Sequence, residues 1–166
     1  MKLKIVSALF ASAFFAIPVS ATEPGLNQWG IVENSYPISD TRIVTAGVGT
    51  ADGLVLQFQC SGDKFGAVVV PYEPMVKLEF ITIDEQAEVA WRIDSQPAVT
   101  EQWHVLPGKA GSAYVVVSLS AEQFARAILA GNEKVAIRVH GLTTSVTLVG
   151  AVENVKPIMQ ACGLQP

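Results

Sequence analysis

The sequence predicts a mainly β protein, either β-sandwich-like or α+β, whose antiparallel strands are joined by one internal helix and a short C-terminal helix. Three observations support this fold class. Short segments of alternating apolar and polar residues recur along the chain, one stretch has a helical period with a start and a stop signal, and two cysteines can form one disulfide. The chain of 166 residues is 50% hydrophobic and 16% charged, which suits a single domain with a substantial core.

The first 21 residues have the features of a cleavable export signal. Lys2 and Lys4 precede an uncharged apolar run at 5–17, and Val19-Ser20-Ala21 supplies small residues at the expected cleavage site. Spanning the hydrocarbon of a membrane takes about 20 apolar residues, which this run does not reach. We therefore expect cleavage after Ala21, a single exported domain over 22–166 in the periplasm or beyond it, and no stable membrane insertion of the mature protein.

The charge pattern argues against nucleic acid as a partner. Lysines and arginines number 11 against 15 aspartates and glutamates, and the net charge is −4. Removing the signal would take away two lysines and leave the mature domain more acidic. Nucleic-acid binding depends on concentrated Lys and Arg, and the sequence contains no basic cluster.

Alternating patterns bounded by turn residues predict most of the chain as strand. The segment 36–40 (YPISD) has the composition of a turn, and 108–112 (GKAGS) suits a hairpin turn better than a phosphate-binding loop. The predicted strands are 42–46, 54–60, 65–70, 76–83, 88–93, 102–106, 113–118, 134–140 and 143–149.

One internal segment, 121–130, has the pattern of a helix. Ser120 is the expected N-cap, Gln123 would complete a capping box, and Gly131 would end the helix. Phe124 and Ile128 form its predicted buried stripe, with Leu129 at the margin.

The two cysteines, Cys60 and Cys162, predict a single structural disulfide. Cys60 shares a strand face with Leu54, Leu56 and Phe58, and Cys162 shares a helical stripe with Val152, Val155 and Met159. Export would carry both to an oxidising compartment, and two cysteines allow only one pairing. A redox or metal-binding pair is the alternative, although catalytic dithiols are usually spaced Cys-x-x-Cys.

Motifs for catalysis are absent from the sequence. The two histidines, His104 and His140, are not part of a metal-ligand spacing, and no Gly-x-Ser-x-Gly nucleophile motif occurs. We accordingly expect neither an enzyme nor a cofactor or metal site.

The segment Trp91-Arg92-Ile93-Asp94 is the most distinctive polar cluster. In a strand, Arg92 and Asp94 would share the face opposite Trp91, about 7 Å apart. Arg92 would clamp a carboxylate of a ligand or partner, or form a structural ion pair with Glu79, Glu88 or Glu101. The structural interpretation is favoured, because polar residues on one strand face normally form its solvated side. Arg138 and His140 alternate with apolar residues in the same way and join the candidate interaction residues.

The order of these segments resembles the type VI secretion-associated accessory proteins of the VasI/TagO group. The resemblance is carried by Trp29, the turn at 36–40, the Cys60 strand, the Trp91–Asp94 strand, the Phe124 helix, the segments 135–139 and 147–150, and Cys162. Gln59 stands where the group favours arginine, and Val146-Thr147-Leu148 replaces its phenylalanine-containing strand. The exported invasion-associated locus B proteins are a second resemblance. The first resemblance implies a non-enzymatic accessory protein of the cell envelope, whose partner belongs to an envelope or secretion-system assembly.

A second class of function remains open from the residues alone. A small acidic exported domain could bind a small ligand, or inhibit a cell-wall hydrolase by placing an acidic loop in a basic cleft.

Overall fold

The computed structural model describes residues 24–36, 41–71, 86–107 and 114–166. These residues form one antiparallel sheet and two helices, which confirms the mainly β prediction. The strands are β1 (Gly30–Tyr36), β2 (Thr41–Gly49), β3 (Leu54–Ser61), β4 (Lys64–Pro71), β5 (Gln86–Ile93), β6 (Val99–Pro107), β7 (Tyr114–Ser118), β8 (Lys134–Val139) and β9 (Leu142–Thr147); the helices are α1 (Glu122–Ala130) and α2 (Ala151–Ala161).

All nine strands belong to one sheet, in the order β1-β2-β3-β4-β7-β6-β5-β8-β9. Of the two architectures that the sequence left open, a single sheet with helices packed on one face is therefore the one that forms. Its two outermost strands approach each other at one end, because Trp29 Nε1, just before β1, donates to the carbonyl of Thr147 on β9 at 2.7 Å. The Thr144 hydroxyl of β9 also donates to Asp52, in the β2–β3 turn, at 3.1 Å.

The core lies between the helices and the inner face of this curled sheet. On β3, Leu54, Leu56, Phe58 and Cys60 are buried while the residues between them are only partly so, as the alternating pattern predicts. Phe124 of α1 lies at the centre of an aromatic cluster, with ring centroids 4.9–5.8 Å from the rings of its neighbours Phe58, Trp91 and Trp103. One buried face thus joins strands from distant parts of the chain to both helices.

Helix α1 was predicted nearly within its limits, but its start is different. The N-cap residue is Ala121, without a side-chain hydrogen bond, so the predicted capping box from Ser120 and Gln123 is wrong. Ser118, at the end of β7, instead bonds the backbone N–H of Ser120 through its hydroxyl at 3.4 Å. The helix ends before Gly131 as expected, and Phe124 and Ile128 are buried.

Helix α2 packs against α1, β2 and β3 and is tied to the sheet by the Cys60–Cys162 disulfide. The structure confirms this pairing, with 5.6 Å between the two Cα atoms. The buried face differs from the predicted stripe at Val152, which is 43% exposed. The face is formed instead by Ala151, Val155, Ile158 and Met159.

Several sequence predictions fall outside the described residues. They are the export signal at 1–21, the turn residues 37–40, the strand at 76–83 and the hairpin turn at 108–112. Among the described residues, neither helix has the length and apolar character needed to cross a membrane.

Candidate functional site

The outer face of β5 and β8 brings together two of the predicted interaction residues. Antiparallel pairing sets Arg92 opposite Ala136 and Ala90 opposite Arg138. The two arginines therefore occupy diagonal positions across a pair of alanines, whose small side chains leave space between the guanidinium groups. We call the surface formed by Ala90, Arg92, Ala136 and Arg138 the arginine face.

A shallow cavity of about 210 Å³ lies on the arginine face. Ala98 and Thr143 extend its walls, and its lining contains two arginines but no acidic residue. This local excess of positive charge stands on a chain whose net charge is −4. Guanidinium groups present planar sets of N–H donors that match carboxylates, so the arrangement suits an anionic group.

The two arginines differ in their local partners. Arg138 lies 3.7 Å from a carboxylate oxygen of Glu88, in a pair whose side chains are both more than half exposed. Arg92 is exposed and forms no hydrogen bond or ion pair with any described residue. The predicted partners of Arg92 are engaged elsewhere. Glu88 lies close to Arg138, and Glu101 accepts a hydrogen bond from the Trp103 indole N–H at 2.8 Å. Glu79 lies outside the described residues.

Asp94 does not share the arginine face. It follows the last residue of β5 with a left-handed backbone (φ 47°), and its carboxylate accepts the backbone N–H groups of Asn132, Glu133 and Lys134 at 2.9–3.0 Å. These hydrogen bonds lower the pKa of the Asp94 carboxyl below its ordinary value. Strand β5 ends at Ile93, so Asp94 lies outside the alternating pattern, and the Asp94 carboxylate holds the α1–β8 loop against the end of β5. Arg92 and Asp94 nevertheless both line a further open cavity of about 670 Å³, together with Glu133 of that loop and Lys134 of β8.

Trp91 points away from the arginine face into the core. It is 4% exposed and packs on Phe124. Its indole nitrogen is buried without a hydrogen-bond partner among the described residues. The ring therefore supports β5 from the helix side. Trp91 lines both the cavity on the arginine face and a second cavity beside the end of α1.

His140 lies beyond the end of β8, in a two-residue hairpin turn to β9. Both turn residues, His140 and Gly141, have positive φ angles of 48° and 78°, which is the backbone of a type I′ turn. Partial burial lowers the pKa of the His140 imidazole. The alternation that placed His140 on a strand face therefore stops at Val139.

Metal chemistry has no geometric support in the described part of the chain. No group of three or more His, Cys, Asp or Glu side chains there is arranged to hold a metal ion. His104 lies on the exposed face of β6.

Sequence reasoning identified both arginines but missed Ala136, because the pairing of β5 with β8 skips two strands and a helix. The available signal was one alanine two residues from an arginine on the polar face of each strand, Ala90 before Arg92 and Ala136 before Arg138. Comparisons with family models, with curated proteins and with solved structures find no match to this chain.

Proposed function

We propose that this chain is an exported, non-enzymatic interaction protein of the bacterial envelope that binds an acidic segment of a partner protein at the arginine face. The observation that carries the proposal is the cross-strand arrangement of Arg92 and Arg138 around Ala90 and Ala136. The export-like N-terminus and the disulfide support an oxidising compartment. The resemblance to type VI secretion accessory proteins suggests a component of that system as the partner.

The dimensions of the arginine face favour a carboxylate side chain over a larger ligand. The cavity of about 210 Å³ is smaller than the common range for drug-sized ligands, about 300–1,000 Å³. Diagonal residues on neighbouring strands lie about 7–8 Å apart, so two long arginine side chains can converge on one carboxylate between them. Arg92 is free for this purpose, and Glu88 holds Arg138 only at the edge of the ion-pair distance.

A protein partner fits the surroundings of this face better than nucleic acid does. The sequence has no basic cluster, and the chain is acidic overall, so a long phosphate backbone would meet repulsion outside the two arginines. A short acidic segment needs only a local positive site. The exposed polar residues Thr100, Gln102 and Thr143 around the face can form the polar rim of an interface.

The proposal is tested by capture from periplasmic extract with the purified mature protein and with variants of the arginine face. Arg92→Ala, Arg138→Ala and the double substitution should lose the partner that the wild type retains, and capture should weaken as the salt concentration rises. Arg126→Ala is the matched control. It removes an exposed arginine of α1 that pairs with Glu122 at 2.6 Å, and it should leave capture unchanged.

Filling the floor of the face separates shape from charge. Ala136→Leu keeps both arginines but occupies the space between them, so it should also reduce capture. The captured protein must be identified by mass spectrometry and must rebind when purified. If the double arginine variant retains that protein as the wild type does, the arginine face is not the contact surface.

Export has its own test. N-terminal sequencing of the protein recovered from the periplasm should begin at Thr22. A chain retaining Met1 in the membrane fraction would contradict cleavage after Ala21.

A further inference from the structure

A second cavity lies on the helix side of β5, between the C-terminal end of α1 and the β5–β6 turn. Its volume is about 460 Å³, within the range of about 300–1,000 Å³ that is common for small-molecule sites. Its lining includes Trp91, Ile93 and Asp94 on the β5 side, Val99 of β6, and Ala127 and Ala130 of α1. We call it the helix-end cavity.

The walls of the helix-end cavity are mostly apolar and are held in place by the core. Trp91 and Ile93 are buried residues of β5, and Val99 packs against the same core from β6. The Trp91 ring is fixed by Phe124, whose centroid is 4.9 Å away. Trp91 is 4% exposed, and its indole nitrogen is buried without a hydrogen-bond partner among the described residues, so this residue is a fixed part of the wall.

The one charged residue that lines the helix-end cavity is the acidic Asp94. Lys134, which acts on the same carboxylate through its charge, is not part of the lining. The Asp94 carboxylate can accept about four hydrogen bonds, and three of them come from backbone N–H groups of the α1–β8 loop. About one acceptor position is therefore left for a ligand.

The end of α1 adds to this negative potential. The N–H of Gly131 bonds only the carbonyl of Ile128, and the last turn of the helix contains no basic residue. The other last-turn carbonyls have no partner within the helix, and a helix C-terminus carries a partial negative charge. Ala127 and Ala130 of this turn line the cavity.

We propose that the helix-end cavity binds a small organic cation with an apolar body, such as an ammonium group on a ring or a short chain. The ammonium is held at the mouth by Asp94 and the end of α1, and the apolar body packs on Trp91, Ile93 and Val99. The cavity is on the opposite side of β5 from the arginine face, so this proposal is independent of the proposed partner.

The test compares three probes of similar shape but different charge on the mature wild-type protein. Benzylammonium, benzyl alcohol and benzoate are titrated while the backbone amide resonances of Ala130, Gly131 and Asn132 are followed by NMR. Benzylammonium should produce saturable shifts at these amides and bind at least about tenfold more tightly than benzyl alcohol. Benzoate should produce none there. Equal binding of all three probes, tighter binding of benzoate, or no saturable shift with benzylammonium would overturn the proposal.

Two variants separate the charge of the cavity from its shape. Gln96→Lys places a positive charge at the exposed mouth and should weaken benzylammonium binding several-fold while leaving benzyl alcohol unchanged. Ala127→Met fills the cavity and should weaken both probes. Gln123→Lys and Gln123→Met are the matched controls on the exposed side of α1 and should change neither. If Gln96→Lys weakens the two probes equally, the ammonium is not bound at this mouth.

Discussion

Trp29 and Thr147, which are 118 residues apart in sequence, are joined by a hydrogen bond from the indole N–H to the backbone carbonyl. The bond links the residue before the first strand to the last residue of the last strand. Trp29 is 3% exposed and also packs near Phe58, with ring centroids 6.3 Å apart. The two edges of the sheet are thus held together at one end by a buried side chain.

Trp29→Phe should weaken this closure. The substitution keeps an aromatic ring but removes the donor to Thr147 and part of the buried volume. We expect the free energy of unfolding to fall by about 1–3 kcal/mol. Hydrogen exchange should accelerate at the amides of β1 and β9 before it does so in β3 and β4.

Trp103→Phe is the control for this prediction. Its indole N–H bonds Glu101, two residues away on the same strand, so its loss does not open the sheet edges. Equal acceleration of β1 and β9 in both variants would mean that general loosening of the core, and not the Trp29–Thr147 bond, opens the edges.

The Asp94 carboxylate should make stability depend on pH in the acid range. Its native pKa is lowered by the backbone N–H groups of the α1–β8 loop, whereas the unfolded chain has a pKa of about 3.9. The native state therefore gains stability above about pH 4 and loses it as the pH falls through the lowered native pKa.

Asp94→Asn should lower the melting temperature at neutral pH, because the amide presents one acceptor oxygen where the carboxylate presents two. The difference from wild type should shrink at an acid pH below the lowered native pKa, where the wild-type carboxyl is protonated as well. Asp63→Asn, at an exposed turn carboxylate without a hydrogen bond in the described part of the chain, is the control. A melting difference for Asp94→Asn that is the same at both pH values would exclude the charge as its cause.

Prediction from sequence succeeded where a local pattern reports directly on burial. The alternation along β3 identified its buried face, and the stripe on α1 identified Phe124 and Ile128. It failed on β1, which was not predicted, because this edge strand exposes Glu33, Asn34 and Ser35 and so lacks an apolar period. His140, predicted as the last residue of a strand, lies in the β8–β9 turn, because alternation gives no sign of where the backbone turns.

The arginine face could be predicted only in part for a related reason. Alternation predicted that Arg92 and Arg138 each lie on the solvated face of a strand, but it could not show that the two residues are neighbours. Their proximity depends on the order of strands, in which β8 pairs with β5 and not with β7, the preceding strand. The helix-end cavity was beyond sequence reasoning altogether, since it is formed where a helix, a turn and two strands meet.

Gly131 and Gly141 are both expected to resist substitution, for different reasons. Gly131 has an ordinary φ of −80°, but a Cβ there would overlap Leu148 Cδ1 and Ile93 Cγ2. Gly141 has open space around it and a φ of 78° in the β8–β9 turn. Substitution is limited by the lack of space at Gly131 and by the backbone conformation at Gly141.

Gly131→Ala should cost about 1–3 kcal/mol of stability through overpacking, and Gly141→Ala about 1–2 kcal/mol through backbone strain. Asparagine distinguishes them, because it tolerates a left-handed backbone but is larger than alanine. Gly141→Asn should recover most of the stability lost in Gly141→Ala, whereas Gly131→Asn should be worse than Gly131→Ala. Chemical denaturation of the four variants checks this, and rescue by asparagine at Gly131 would refute the steric explanation.

The disulfide between Cys60 and Cys162 should be most important for α2. The cross-link closes a loop with a sequence separation of 102, for which the chain-entropy model gives about 4–5 kcal/mol as an upper figure. Helix α2 has only 11 residues and contains Pro157, which cannot donate a backbone hydrogen bond to the preceding turn. Its remaining attachment is the packing of its buried face, formed by Ala151, Val155, Ile158 and Met159. We therefore expect the double variant Cys60→Ser/Cys162→Ser, which leaves no free thiol, to unfold locally at α2 before the sheet does.

Limited proteolysis should cut the double variant within 151–166 while β3, β4, β5 and β8 stay protected. The wild type under reducing conditions should behave in the same way. Untreated wild type should be two hydrogens lighter than its dithiol mass. If α2 keeps its protection in the double variant, packing alone holds the helix to the sheet and the disulfide acts on the unfolded chain.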